Sequence, residues 1–148
     1  MTRLALCSVT VSAVSACSRS GIEPEIELAR AGEAFVLAPG ESVVIAGTGW
    51  RVTFVGVPED GRCPIEWFCI WAGNGVVQLR VAPAAPFSAT RLVELNTGLE
   101  PRAACVGGRE LVLVSLEPPK SETNPTPPDA YRATLRVSSA PCMSASAS

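Results

Sequence analysis

The segment "AYRATLRV", residues 130–137, decides the fold. Tyr131, Ala133, Leu135 and Val137 fall on one parity; Arg132, Thr134 and Arg136 fall on the other. Successive side chains of a strand point to opposite faces, so this period of two predicts a half-buried β-strand. Just before it lies "PPKSETNPTPPD", residues 118–129. So many prolines cannot donate to a ladder, and this stretch is expected to be a surface loop. "RELVLVSLE", residues 109–117, is apolar on both parities from Leu111 to Leu116. That pattern predicts a central strand covered on both faces.

Further upstream the same period recurs. "TRLVELN" carries it weakly, and in "FCIWAGNGVVQLRV" Val77, Leu79 and Val81 oppose Gln78 and Arg80. Asn74-Gly75 between two β-rich runs predicts a hairpin there, with Gly73 adding to the turn. In "WRVTFVGV" Trp50, Val52 and Phe54 oppose Arg51 and Thr53, and "EAFVLAPGESVVIAG" is two strands about the turn Ala38-Pro39-Gly40-Glu41. Residues 22–31 are the one stretch where a short helix competes. The chain has 148 residues, 47% hydrophobic but 5% aromatic, with 13 Pro and 12 Gly. This length allows one domain with a core of Val, Leu, Ala and Ile, and the Pro and Gly content argues against a helical bundle. The expected fold is all-β: a single antiparallel β-sandwich of about eight strands over residues 25–142, with a closed small barrel as the alternative. The tail, residues 143–148, is small and polar and expected to be flexible.

The N-terminus reads "MTRLALCSVTVSAVSACSRS". Arg3 is followed by an apolar run of about a dozen residues, short of the ~20 needed to span a bilayer. Val14-Ser15-Ala16-Cys17 resembles the lipobox of bacterial lipoprotein signal peptides. The resemblance implies a signal peptide over 1–16, cleavage before Cys17, and lipid on both the sulfur and the new amine of Cys17. Ser18, where an Asp is absent, resembles the default signal for the outer membrane. The implied location is the bacterial cell envelope, anchored by lipid to the outer membrane and facing the periplasm, with 17–24 as a tether. Two or more acyl chains anchor stably where one does not. With Arg3 removed, 11 of the 12 basic residues stand against 14 acidic ones, a net charge near −3. No basic patch exists, which argues against nucleic acid and against an anionic membrane surface as partners.

Once Cys7 leaves with the signal and Cys17 takes lipid, Cys63, Cys69, Cys105 and Cys142 remain. An even number in an exported domain predicts disulfides. Three pairings are possible. The short Pro-containing loop favours Cys63–Cys69, which leaves Cys105–Cys142. A four-Cys zinc site would need C-x₂₋₄-C knuckles that are absent, and no C-x-x-C motif offers thiol exchange.

The densest stretch is "PEDGRCPIEWFCIWAGNG", residues 58–75. "FVGVPEDGRCPIEWFCIWAGNGVVQL" resembles a segment of an uncharacterised family of bacterial secreted proteins and lipoproteins, with the pattern D-S-R-C-P, a few residues, then C-x-W-A-G. Asp60, Arg62, Cys63, Pro64, Cys69, Trp71, Ala72 and Gly73 match; Gly61 stands for the usual Ser and Gly75 for a usual Ala. "LVLVSLEPP" and "AYRATLRV" resemble that family's closing strands. The resemblance implies export, a β-fold and a Cys63–Cys69 staple, and it names no ligand. Cys105–Cys142 lies outside the pattern.

On its own residues the stretch has structural jobs. Asp60-Gly61 supplies a turn, and Asp60 can accept backbone N–H bonds or pair with Arg62. Pro64 stiffens the loop, and Trp71, if inward, fills core beside the bridge. A recognition role is the sharper expectation: Ile65, Glu66, Trp67 and Phe68 sit inside a loop that a disulfide would pre-order, and Trp is a favoured anchor. The candidate recognition residues are Asp60, Arg62, Glu66, Trp67 and Trp71.

Catalysis is poorly supplied. The chain has no His, so His-based triads and imidazole acid–base chemistry are excluded. Asp60 and Glu66 are the one carboxylate pair worth weighing for hydrolysis. Glu59, Asp60, Glu66 and Asn74 lack the spacing of a Ca²⁺ loop, and no phosphate-binding glycine motif occurs. The expectation is a monomeric, non-enzymatic envelope module without metal or cofactor, which binds an envelope protein or serves structurally. The alternatives are an inhibitor of an envelope-active hydrolase acting through Ile65–Phe68 and, less well supported, a carboxylate-dependent hydrolase.

Overall fold

A computed structural model describes residues 27–143. The expected signal peptide, Cys17, the tether and residues 144–148 of the tail lie outside the described residues. Among the described residues nine strands follow in chain order: β1 Leu28–Ala29, β2 Ala34–Leu37, β3 Ser42–Ile45, β4 Trp50–Asp60, β5 Gly75–Pro83, β6 Arg91–Asn96, β7 Ala103–Val106, β8 Arg109–Glu117 and β9 Arg132–Pro141. Among the described residues the only helical element is a 3₁₀ turn, Pro128–Ala130. One sheet has the order β1-β3-β4-β5-β6 and the other β2-β9-β8-β7. They do not close into a barrel; they are two sheets sharing one core, the sandwich expected from the period of two.

The alternation places the core. Val52 and Phe54 of β4 and Val77, Leu79 and Val81 of β5 are fully buried, as are Ala133, Leu135 and Val137 of β9. No polar or charged residue is buried among the described residues, so the two inner faces meet as an apolar layer. The turn at Ala38–Glu41 does not make a hairpin. β2 pairs with β9 while β3 pairs with β4, so this turn passes the chain from one sheet to the other. Gly40 takes φ +89° there, a conformation that favours glycine.

Three expectations are corrected. β8 is central in its sheet but not covered on both faces: Val114 is 44% exposed. Its double-parity pattern arises from a register shift between Leu113 and Ser115, which lets Leu111, Leu113 and Leu116 all face the core. The sandwich is not wholly antiparallel, since β1 pairs with β3 in parallel. Within the segment left open to helix, Leu28–Ala29 is this edge strand. Finally, residues 68–72 form no strand, and Asn74-Gly75 is not the tip of a hairpin. β4 pairs directly with β5 up to Asp60 opposite Gly75, and everything between them is loop.

Candidate functional site

The β4–β5 loop rises from one end of the sandwich. Its neck continues the ladder: Gly61 and Asn74 exchange backbone hydrogen bonds at 2.7 and 3.3 Å, and the Cys63 amide donates to the Ala72 carbonyl at 2.8 Å. The approach is so close that a Cβ on Gly73, at φ +71°, would lie 2.1 Å from the Gly61 carbonyl oxygen. Only glycine fits both the dihedral and the space. Cys63 and Cys69 are joined by a disulfide, and so are Cys105 and Cys142. The second bridge ties β7 to the end of β9 across the β7–β8 turn, where the Cys142 amide also donates to the Gly108 carbonyl at 3.0 Å.

Asp60 and Arg62 form the base of the loop. Arg62 Nε donates to Asp60 Oδ1 at 2.8 Å and Nη2 to Oδ2 at 2.7 Å, a two-pronged pair whose side chains are 12–13% exposed. The same guanidinium reaches the other sheet: Nη1 donates to the Leu116 carbonyl at 2.6 Å and Nη2 to the Pro118 carbonyl at 2.8 Å. Tyr131, just before β9, donates its hydroxyl to Asp60 Oδ2 at 3.0 Å. Asp60, Arg62 and Tyr131 thus clamp β4 to the ends of β8 and β9. Burial works to raise the Asp60 carboxyl, but the Arg62 hydrogen bonds and charge, with help from Tyr131, hold it below its usual value. Arg62 is raised, first by its hydrogen bonds to Asp60. Tyr131 is raised by burial and then by its donation to Asp60.

Two further struts hold the loop. On one side Glu66 accepts hydrogen bonds from the Ser121 hydroxyl, the Thr123 hydroxyl at 2.9 Å and the Glu122 amide at 3.2 Å. The Ile65 amide donates to the Lys120 carbonyl at 2.9 Å. These donors, Ser121 first, pull the Glu66 carboxyl down to about 2. On the other side Asn74 Nδ2 donates to Asn96 Oδ1 at 2.8 Å, and Asn74 Oδ1 accepts from the Gly98 amide at 3.0 Å. The loop is therefore fixed at its neck, its base and both flanks.

What the loop presents is apolar. Phe68 is 102% exposed, Ile70 91%, Trp71 82%, Ile65 69% and Trp67 66%. Trp71 is not the core filler expected beside the disulfide, and neither Trp67 nor Phe68 folds back. With Trp50, Phe54 and the aliphatic strands already filling the interior, the short ring leaves these side chains facing outward. A shallow recess of about 320 Å³ lies at the foot of the tip, lined by Arg62, Pro64, Trp67, Trp71, Lys120 and Glu122 among others.

Of the five candidate recognition residues, Trp67 and Trp71 are displayed, while Asp60, Arg62 and Glu66 are tied into the scaffold beneath them. The two carboxylates weighed for hydrolysis have separate partners: Asp60 is held by Arg62 and Tyr131, and Glu66 by Ser121, Thr123 and the Glu122 amide. Sequence reasoning missed Tyr131 and Ser121 as parts of this site, and read Asn74 as a hairpin residue where it is a strut to Asn96 and Gly98. Tyr131 had a signal, because its inward parity buries a phenol whose hydroxyl then needs a partner. No family model, curated protein or solved structure matches the chain.

Proposed function

We propose that this protein is a non-enzymatic binding module of the bacterial cell envelope, held to a membrane by lipid on Cys17, with the Cys63–Cys69 loop as its recognition surface. The observation that carries this reading is the contrast within the loop. Its polar residues are consumed in holding it still, while its apolar residues stand in solvent. Contiguous exposed apolar surface on a small domain marks interaction sites, and a pre-ordered loop loses little conformational freedom on binding. The partnering of Asp60 and Glu66 supports a scaffold role for both carboxylates over an acid–base role. The lipobox-like Val14-Ser15-Ala16-Cys17 supports the anchor, and the resemblance of the Cys-loop to that of bacterial lipoproteins is consistent with it.

The display of Trp67 and Phe68 at the tip of a rigid ring also favours the second reading, an inhibitor of an envelope-active hydrolase. The test is affinity capture from envelope extract with the mature, disulfide-intact protein and its Trp67→Ala variant. A partner held by the first and lost by the second supports recognition through the loop, and a hydrolase among such partners supports the inhibitor. Identical captures contradict recognition of a protein through Trp67. Hydrolytic activity lost in Asp60→Asn or Glu66→Gln, with the fold kept, would overturn the non-enzymatic reading.

A further inference from the structure

We infer that the apolar tip of the Cys63–Cys69 loop docks into the interfacial layer of a phospholipid bilayer and so seats the domain on the membrane. This rests in part on the reading that Cys17 carries lipid.

The chemistry of the tip fits that occupant. Trp67, Phe68, Ile70 and Trp71 are all exposed within five consecutive residues, and Trp67 and Trp71 line one recess; together they make the apolar cap of the loop. Tryptophan is enriched where hydrocarbon meets headgroups, because its ring is apolar and its N–H can stay wet. The charges near the cap are partnered, including Arg62, Lys120 and Glu122, which line the recess beside Trp67 and Trp71. Glu66 faces Ser121 and Thr123, Arg62 faces Asp60 and two backbone carbonyls, and Lys120 pairs with Glu122 at 3.8 Å. With Lys120 and Glu122 offsetting each other at its foot, the cap carries no surplus charge that would seek anionic lipid or oppose a zwitterionic interface. Its rigidity means that no loop has to order on insertion.

Topology supplies the second, independent argument. β1 runs parallel to β3, and β3 runs antiparallel to β4. The N-terminal end of β1 therefore points toward the end of the sandwich where β4 delivers the Cys-loop. Glu27 lies near the level of Val52: its carbonyl accepts from Val44, the neighbour of Val43, which pairs with Val52. Val52 pairs with Val81 and Asp60 with Gly75, so the climb from that level to the loop's base is six residues of β5, about 20 Å at ~3.3 Å per residue. From Cys17 to Glu27 are ten residues, which can span at most about 33–36 Å. A lipid on Cys17 can thus lie in the same plane as the loop tip, with roughly 13–16 Å of reach left for the loop's own height.

The experiment uses the protein as isolated from membranes, reconstituted into phosphatidylcholine–phosphatidylethanolamine vesicles with and without brominated acyl chains. Intact mass reports separately whether Cys17 is acylated. Two of the three tryptophans are at the tip, so brominated lipid should remove roughly two-thirds of the emission and shift the accessible part to the blue. Trp67→Ser/Trp71→Ser should leave a protein whose remaining Trp50 emission is insensitive to brominated lipid. Both sites are exposed, and circular dichroism checks that this variant keeps its fold. Quenching with an unmodified Cys17 upholds the docking and refutes the anchor. Acylated protein whose emission is unchanged by brominated lipid overturns the docking, leaves the anchor standing, and makes the loop a face for a protein partner.

Discussion

Replacing Arg62 with methionine keeps the aliphatic stem and removes the guanidinium. Four side-chain hydrogen bonds are lost, two to Asp60 and one each to the carbonyls of Leu116 and Pro118. Asp60 is left as a carboxylate that is 12% exposed, with the Tyr131 hydroxyl as its remaining side-chain donor. Removing one partner of a buried ion pair costs about 3–5 kcal/mol, because the other charge stays desolvated. This pair keeps some contact with water, which places the cost near the lower figure, about 3 kcal/mol. At roughly 4 °C per kcal/mol for a domain a little over 100 residues long, Tm should fall by about 12 °C. The assay is urea unfolding followed by tryptophan fluorescence, where the midpoint should drop with the slope unchanged. Tyr131→Phe removes a single hydrogen bond and should cost about 1 kcal/mol. Asp60→Asn combined with Arg62→Met should cost clearly less than the two single changes added together, since both break one interaction. An Arg62→Met variant within about 0.5 kcal/mol of the parent, the range of an ordinary surface substitution, would refute the claim that this clamp joins the two sheets.

Other expectations follow from the same geometry. The two disulfides close loops of sequence separation 6 and 37, so in the chain-entropy model Cys63→Ser/Cys69→Ser should cost about 2 kcal/mol and Cys105→Ser/Cys142→Ser about 4, read by urea unfolding. Glu66 is lowered from 4.5 to about 2, so the hold it exerts on residues 121–123 is complete above pH 4.5 and is withdrawn as pH falls from there through 2. The Glu122 amide should report this in exchange measurements, and Glu66→Gln should abolish the pH dependence. Gly73→Ala meets backbone on a left-handed residue and should destabilise by more than 1 kcal/mol, whereas Trp67→Ala and Trp71→Ala, both in solvent, should lie within about 0.5 kcal/mol of the parent.

The strands that the sequence makes plain are those with one buried face whose own alternation stays regular across the core, even where a partner strand shifts register. From Ala133 to Val137 in β9 and from Val77 to Val81 in β5 every inward position is apolar and the outward ones are Thr, Gln or Arg, so period alone assigns them. β8 defeats that logic midway, because the shifted register after Leu113 turns Leu116 inward, and a run apolar on both parities looks the same as a strand covered twice. Phe68 to Trp71 misleads for another reason. Phe, Ile and Trp favour strands, but they fall within and just after the seven-residue ring closed by Cys63–Cys69, and no strand pairs with them. Within the site, the Asp60–Arg62 pair is legible because its members are two residues apart. The acceptors that complete it are backbone carbonyls at Leu116 and Pro118, which no side chain announces. The donors to Glu66 lie 55–57 residues away in a Pro-rich loop, where one Ser or Thr looks like the next.

The central claim is that the tip of the Cys63–Cys69 loop is where this domain meets its partner. A photoreactive phenylalanine analogue at position 68 tests it most directly, in cells that make the full-length chain, because that side chain is fully exposed and bears no structural load. The same analogue at Val114, on the outer face of β8, is the control. The account predicts a defined adduct from position 68, with phospholipid or with one envelope protein, and none from position 114. No more adduct at 68 than at 114, with both variants folded and disulfide-bonded, would contradict it.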